Sequence, residues 1–370
     1  MMVKKISWKN IIGWVVAIVV IFGVIGYNAY QAKQQSSSGK PKVYAVLPLS
    51  GSVADLGQRI KSYMTIYMDN TDNVPFEIIY LDDESKPDKA VSVFQQIALS
   101  EEKPIVISAF SFISRILIPI VEKQGGFTFA LTTIEGKQLG LSSGYQRVAS
   151  GIYDGKAIIE YAKRFNTVSI INMEDDFGVA GKDLFIKEYQ ADGRKILNTV
   201  SLPLRSFDVR NEVQKIIENP PEAVFFSGTV TLAYINAIRI LKESGYQGKI
   251  IANHSISDPY TYRGLGELAD GIIAQTVPAD VEEIDIRDNK LLETLKKENI
   301  PAFFLPIQVF DTMNLIKYTF DNNLPFTQDT YTKMEQWNGV SGTVKLNNGD
   351  SFYSYVVAEI KDGRFVLMEE

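Results

Sequence analysis

Cysteine is absent from the 370 residues, and histidine occurs once, at position 254. The first absence excludes disulfides, thiolate nucleophiles and cysteine metal sites together. The second leaves any metal centre to carboxylates gathered around a lone imidazole, a grouping the sequence does not reveal. Basic excess is missing as well: 38 Lys and Arg stand against 44 Asp and Glu, a net charge of -6. With no long basic patch and no zinc-finger spacing, a nucleic-acid partner is not expected, because holding a phosphate backbone calls for a basic surface. Neither a complete G-x-G-x-x-G fingerprint nor a GK[ST] phosphate loop occurs, and the acidic run "DVEEIDIRD" lacks EF-hand spacing. The expectation is no cofactor and no metal, and a nucleotide enzyme is disfavoured.

The hydrophobic content of 45% supports sizeable cores, and the length suits two domains. Residues 1–10 form a basic region with Lys4, Lys5 and Lys9, followed by the apolar run "IIGWVVAIVVIFGVIG" from Ile11 to Gly26. Positive charge before such a run marks a signal anchor or a signal peptide. Small residues suited to cleavage are poorly placed, since Tyr27 or Tyr30 would fall at the -3 position. The favoured expectation is therefore a transmembrane anchor over 11–30, with a cleaved signal, and so a secreted or periplasmic protein, as the alternative. A buried helix of the body is a third reading. Residues 31–41, which take in most of "KQQSSSGKPK", read as a flexible linker to an extracytoplasmic body. Lipid attachment through a processed cysteine is excluded.

From Lys42 onward strand-like and helix-like segments alternate. "KVYAVL", "FEIIYLDD", "PIVISA" and "GFTFAL" read as strands separated by helical patterns at Leu56–Asp69, Ala90–Ser100 and Ile113–Lys123. A second round of "TVSIIN", "ILNTVSL", "EAVFFSG" and "KIIANHS" follows, with helices between its strands. Repeated βα order implies parallel sheets covered by helices on both faces, and two rounds of similar length imply two similarly built lobes. Helix candidates at Phe310–Phe320 and Thr330–Asn338 precede a tail of antiparallel strands turned at Asn-Gly-Asp and Asp-Gly.

Ligands of open α/β sheets approach the loops beyond the carboxyl ends of the strands, so the candidate residues are those at the junctions. In the first round these are Ser111 and Ser114 in "SAFSFISR" and Thr132 and Thr133 in "FALTTIEG". Their hydroxyls either cap helices or donate to a ligand, and the sequence leaves both readings open. In the second round "NMEDDFGVAG" presents Asp175, Asp176 and Phe177, "FFSGTVTLAY" presents Thr229 and Val230, and "NHSISDPY" presents His254. That histidine is a structural strand-end group, a ligand-recognition group or, less readily, a catalyst or metal ligand.

The segments "VYAVLPLSGSVADLG", "SAFSFISR", "EDDFGVAGKDLFIKEYQADG", "DVRNEVQKIIENPPEAVFFSG" and "GVSGTVKLNNGDS", in this order over Lys42 to Asp362, resemble the type I periplasmic binding proteins. The likeness is greatest to the Leu/Ile/Val-type receptors of ABC transporters. The resemblance implies a two-lobed α/β Venus-flytrap fold with three crossover segments, preceded by the transmembrane helix or signal sequence. The first lobe would comprise 42–147 and 278–341, and the second 148–277 and 342–370. It further implies a non-catalytic receptor that captures a small polar or amphipathic ligand, such as an amino acid or carboxylate, for an ABC permease. A membrane-anchored ligand sensor or regulatory subunit on the same fold is the alternative, and an enzyme the third possibility. The pocket would be lined by Ser111, Ser114, Thr132, Thr133, Phe177, Thr229, Val230 and His254, with oligomeric state left open. His254 stands at or beside a position where amino-acid-binding relatives place an acidic residue for the ligand ammonium, unless Asp175, Asp176 or Asp258 compensates. If none does, a ligand without an α-amino group fits better.

Overall fold

In the computed structural model, "KVYAVL" forms strand β1 (Lys42–Leu47), buried on both faces like other central strands of parallel sheets. The residues described are 39–132, 136–137, 139–148, 156–204, 206–281, 290–340 and 342–368. Helix α1 (Ala54–Asn70) follows β1, and its Ile60, Tyr63, Met64 and Tyr67 recur at three- and four-residue spacing to face the core. Strands β2 (Glu77–Asp82), β3 (Ile105–Ala109), β4 (Phe127–Leu131) and β5 (Tyr145–Arg147) come next, with α2 (Pro87–Ala98) and α3 (Ser111–Lys123) among them. All pair in parallel in the order β2-β1-β3-β4-β5.

The chain then repeats the plan through α4 (Lys156–Ala162), β6 (Thr167–Met173), α5 (Asp176–Gln190) and β7 (Lys195–Leu202). It continues with α6 (Arg210–Ile217), β8 (Ala223–Ser227), α7 (Leu232–Glu243), β9 (Lys249–Ala252), α8 (Pro259–Leu265) and β10 (Ile272–Thr276). The parallel order β7-β6-β8-β9-β10 is the same winding as in the first lobe. One detail repeats at residue level. A Cβ on Gly57 would stand 2.1 Å from the Pro48 carbonyl, and one on Gly178 would stand 2.2 Å from the Met173 carbonyl. In both lobes glycine lets the helix after the first strand settle directly on that strand's end.

The returning chain forms α9 (Lys290–Lys297), α10 (Phe304–Asp321), α11 (Gln328–Met334) and strands β11 (Gln336–Gly339), β12 (Gly342–Asn347) and β13 (Asp350–Phe352). Val344, Leu346 and Tyr353 join the core that packs α1 and α10 on the first sheet. Only β14 (Val356–Lys361) and β15 (Arg364–Leu367) extend the second sheet, antiparallel at its β10 edge. The last crossing between lobes therefore lies between Phe352 and Val356, whereas the sequence reading began the second-lobe tail at 342. Strands β5 and β10 and helices α8 and α9 were not expected either. The strands are short or shared with polar residues, and both helices are brief.

The expected membrane span is corrected. Among the described residues no helix is long and apolar enough to cross a membrane. The longest apolar helix, α10, carries Asp311, Lys317 and Asp321 and buries its apolar side chains in the first-lobe core. Residues 1–38, which include the basic region, the 11–30 segment and most of the linker, lie outside the described residues. The fold class the described residues support is the two-lobed α/β body, and membrane attachment, as partner or location, is not carried forward.

One buried ion pair ties β5 to the returning chain. Arg147 is fully buried; its Nε donates to Asp350 Oδ1 at 2.8 Å and its Nη2 to the Ser351 carbonyl at 2.7 Å. The Gly136 amide donates to the same Asp350 oxygen at 3.2 Å. Removing one partner of such a pair strands the other charge in low dielectric. Arg147→Met is expected to lower the unfolding free energy by about 3–5 kcal/mol, read as a lower urea midpoint.

Candidate functional site at the seam between the lobes

Each five-stranded parallel array turns back between its first and third strands, and the crevice at that switch point is where α/β sheets present their loops. In the first lobe the switch lies between β1 and β3, whose carboxyl ends lead into α1 and α3. In the second it lies between β6 and β8, leading into α5 and the 228–231 loop. The two sets of loops meet. Arg115, one turn into α3, pairs with Asp176 at the start of α5 (3.1 Å). Arg59 of α1 forks onto Asp258, donating from Nη1 at 3.1 Å and from Nη2 at 2.8 Å, and lies 4.6 Å over the Tyr260 ring. Both members of this clasp are largely buried, and the bidentate geometry makes it the stronger of the two bridges.

On the first-lobe side, Ser111 Oγ and Thr132 Oγ1 are 2.5 Å apart. Ser111 opens α3, a helix of thirteen residues whose N-cap residue, Phe110, makes no side-chain capping hydrogen bond. Helix N-termini leave amides without intrahelical acceptors and carry partial positive charge. The residue before it, Phe110, has φ 67°, a left-handed conformation that a bulky side chain adopts only under constraint. Two of the expected first-lobe residues are therefore together. Ser114 is elsewhere: it is fully buried, with its hydroxyl 2.8 Å from Ser108 Oγ. Thr133 lies outside the described residues.

On the second-lobe side His254 is 2% exposed and surrounded by rings: Phe304 of the first lobe at 4.9 Å, Phe177 at 5.3 Å and Tyr355 at 5.9 Å between centroids. Burial pushes its pKa from 6.5 down to about 3, so the imidazole is neutral. The three carboxylates that might have replaced an acidic ammonium partner are already occupied. Asp175 accepts from the amides of Gly178 (2.7 Å) and Thr229 (3.2 Å), Asp176 holds Arg115, and Asp258 holds Arg59. Thr229 is thereby fixed through its backbone, and Val230 packs against the second-lobe core. Among the described residues no three His, Asp or Glu side chains group as a metal site.

The sequence reading missed Arg59, Phe304 and Tyr355. The arginine sits on a helix face next to Asp55 and reads as an ordinary surface i,i+4 pair, and the two aromatics read as core. Nothing local signals that 199 positions of chain fold back to set Asp258 against Arg59.

Two α/β lobes with their loops clasped across a seam form the architecture of two-lobed solute-binding receptors. The periplasmic binding protein family profile matches residues 41–283, and the chain belongs to that family. Membership makes it a non-catalytic binding protein. Comparison with curated proteins finds no match. Among solved structures, an extracellular ligand-binding receptor from Rhodopseudomonas palustris HaA2 is similar at TM-score 0.78 and 19% identity, covering 90% of this chain and 100% of that one. A leucine-binding protein from Thermotoga maritima MSB8 is similar at TM-score 0.75 and 20% identity, covering 89% and 98%. An ABC-transporter solute-binding protein from R. palustris, solved with 4-hydroxybenzoate, is similar at TM-score 0.76 and 16% identity, covering 90% and 96%. At these identities the likeness is one of fold.

The depressed pKa of His254 has a stability consequence. Below its unfolded value of 6.5 the unfolded chain takes up a proton that the folded chain refuses until about 3, so stability is lost as pH falls through that window. Wild type is expected to lose stability relative to His254→Gln on acidification below about 6.5, by up to about 1.4 kcal/mol per pH unit. Paired denaturant titrations across pH measure the gap; a constant gap would refute neutral burial.

Proposed function

We propose that this protein is an extracytoplasmic receptor that captures a small carboxylate with an apolar or aromatic body and no α-amino group, and delivers it to an ABC-type permease. The observation carrying this reading is the Ser111–Thr132 hydroxyl pair at the uncapped start of α3. Two hydroxyls beside unsatisfied helix amides are the donors a carboxylate requires, in the place where partial positive charge accumulates. The ligand's other end would face the aromatic side of the seam around His254, where a neutral imidazole supplies no charge for an ammonium. The commitment of Asp175, Asp176 and Asp258 to other partners argues the same way. The relatives add support of a weaker kind. One similar structure carries 4-hydroxybenzoate and another 3,4-dihydroxybenzoic acid, while the leucine-binding relative favours an amino acid. The Leu/Ile/Val specificity is the less favoured reading, because it requires an anionic partner for the ammonium.

Calorimetry and thermal shift of the full chain with benzoate, 4-hydroxybenzoate and leucine test the reading. The carboxylates lacking an amino group are expected to bind and leucine to bind more weakly. Thr132→Val is expected to weaken carboxylate binding about ten-fold or more, the value of a hydrogen bond to a charged group, with an unchanged melting temperature. Preferential binding of leucine, or no saturable binding by folded protein across small carboxylates, would defeat it.

A further inference from the structure

A polar row crosses the second sheet at the carboxyl ends of its parallel strands. The register aligns Ser201 of β7 with Asn172 of β6, and Asn172 with Ser227 of β8. One step earlier, Phe226 aligns with Ala252 and Ala252 with Ala274, which sets Ser227, Asn253 and Gln275 in the next row. Parallel pairing in register sends these side chains to the same face of the sheet. Five polar side chains therefore lie where the strands are otherwise apolar.

Two of the five satisfy each other, Ser201 Oγ donating to Asn172 Oδ1 at 3.0 Å. The other three line a small cavity behind Phe177 and His254, between the sheet and helices α4 and α5. Ser227, Asn253 and Gln275 are 0%, 6% and 1% exposed. Each keeps one polar atom with no hydrogen-bond partner among the described residues: Ser227 Oγ, Asn253 Nδ2 and Gln275 Oε1. Asn253 uses its carbonyl oxygen already, accepting from the Ser255 amide at 3.2 Å. Gly181 of α5 packs against Ser227; a Cβ there would lie 2.2 Å from Ser227 Oγ, so glycine is what lets the helix come this close without filling the site. Buried polar atoms go unpaired rarely, and three around one void point to a guest.

The three atoms specify the guest. Asn253 Nδ2 can only donate, Gln275 Oε1 can only accept, and Ser227 Oγ does either. Among the described residues no carboxylate, lysine or arginine lines the void, which favours a neutral group. We propose that this second-lobe cavity is a binding site for a single neutral hydroxyl, which accepts from Asn253 Nδ2 and donates to Gln275 Oε1, with Ser227 Oγ as its third partner. The hydroxyl is that of a bound water or that of the captured solute; only the second source rests on the function proposed above.

The occupant sets the sign of a stability change. In an empty cavity the Ser227 hydroxyl is a liability, and Ser227→Ala would leave the melting temperature unchanged or raise it. With a hydroxyl bound, Ser227→Ala removes a partner and is expected to lower the melting temperature by about 2 °C or more. A crystal structure of the full chain is expected to show one oxygen-sized peak within hydrogen-bond reach of all three atoms. An empty cavity, or a variant at least as stable as wild type, would overturn the proposal. The source is read by calorimetry with benzoate and 4-hydroxybenzoate on wild type and Ser227→Ala. A roughly ten-fold preference for the hydroxylated probe that is lost in the variant assigns the site to the solute hydroxyl. Equal affinities, or no binding of either probe, with the peak and the destabilisation present, assign it to water; in the last case the functional reading fails and the hydroxyl site stands.

Discussion

Loops at the carboxyl ends of parallel strands carry amides, hydroxyls and charges that an apolar core would leave unsatisfied, so they have to meet either water or one another. This molecule does the latter along one seam. Both lobes wind their strands in the same order, which puts a switch point on the facing side of each. The largely buried Arg59–Asp258 fork and the half-exposed Arg115–Asp176 pair then join the loops. The seam joins the lobes through two charged pairs and the His254–Phe304 ring contact, while each core closes around its own sheet. That separation lets a hinged receptor move as two rigid halves.

His254 shows how the seam handles its polar residues. An imidazole held among Phe177, Phe304 and Tyr355 gives up its charge because burial disfavours the protonated form. The acidic groups nearby are spent on structure. Asp175 satisfies one α5 amide, that of Gly178, and the Thr229 amide at once, and Asp258 both holds Arg59 and caps the start of α8. Two places offer polar groups to a ligand in different ways, the Ser111–Thr132 pair and the Ser227–Asn253–Gln275 row. The first sits at a helix start that favours negative charge, the second in a void that favours a neutral group.

Periodicity and punctuation were enough to read the lobes. Apolar runs such as "KVYAVL" and "EAVFFSG", alternating with segments of helical spacing, imply parallel strands because only βα units alternate in that way. The likeness in order and spacing of the longer motifs then carried the family. The site was legible only in part. Ser111, Thr132, Phe177 and His254 follow strand ends in the sequence, and the structure brings the first two together and sets the last two against each other. Ser114 lies just three residues after Ser111, but it is fully buried against Ser108 of β3. The antiparallel tail was recognisable by its turns, while its division between lobes was not, since the strands on either side of Phe352–Val356 have the same pattern.

What this sequence determined unaided is the kind of fold: two rounds of βα units with apolar strands, no thiol chemistry, no basic surface and one histidine. Tertiary structure alone decided which side chains became partners across the seam, as Arg59 did with Asp258, Arg147 with Asp350 and His254 with Phe304. It also decided that His254 is neutral. Local pattern depends on neighbours three or four positions away, whereas these pairings and that charge state depend on burial and on residues as far as 199 positions distant, and neither is encoded in any window of the chain.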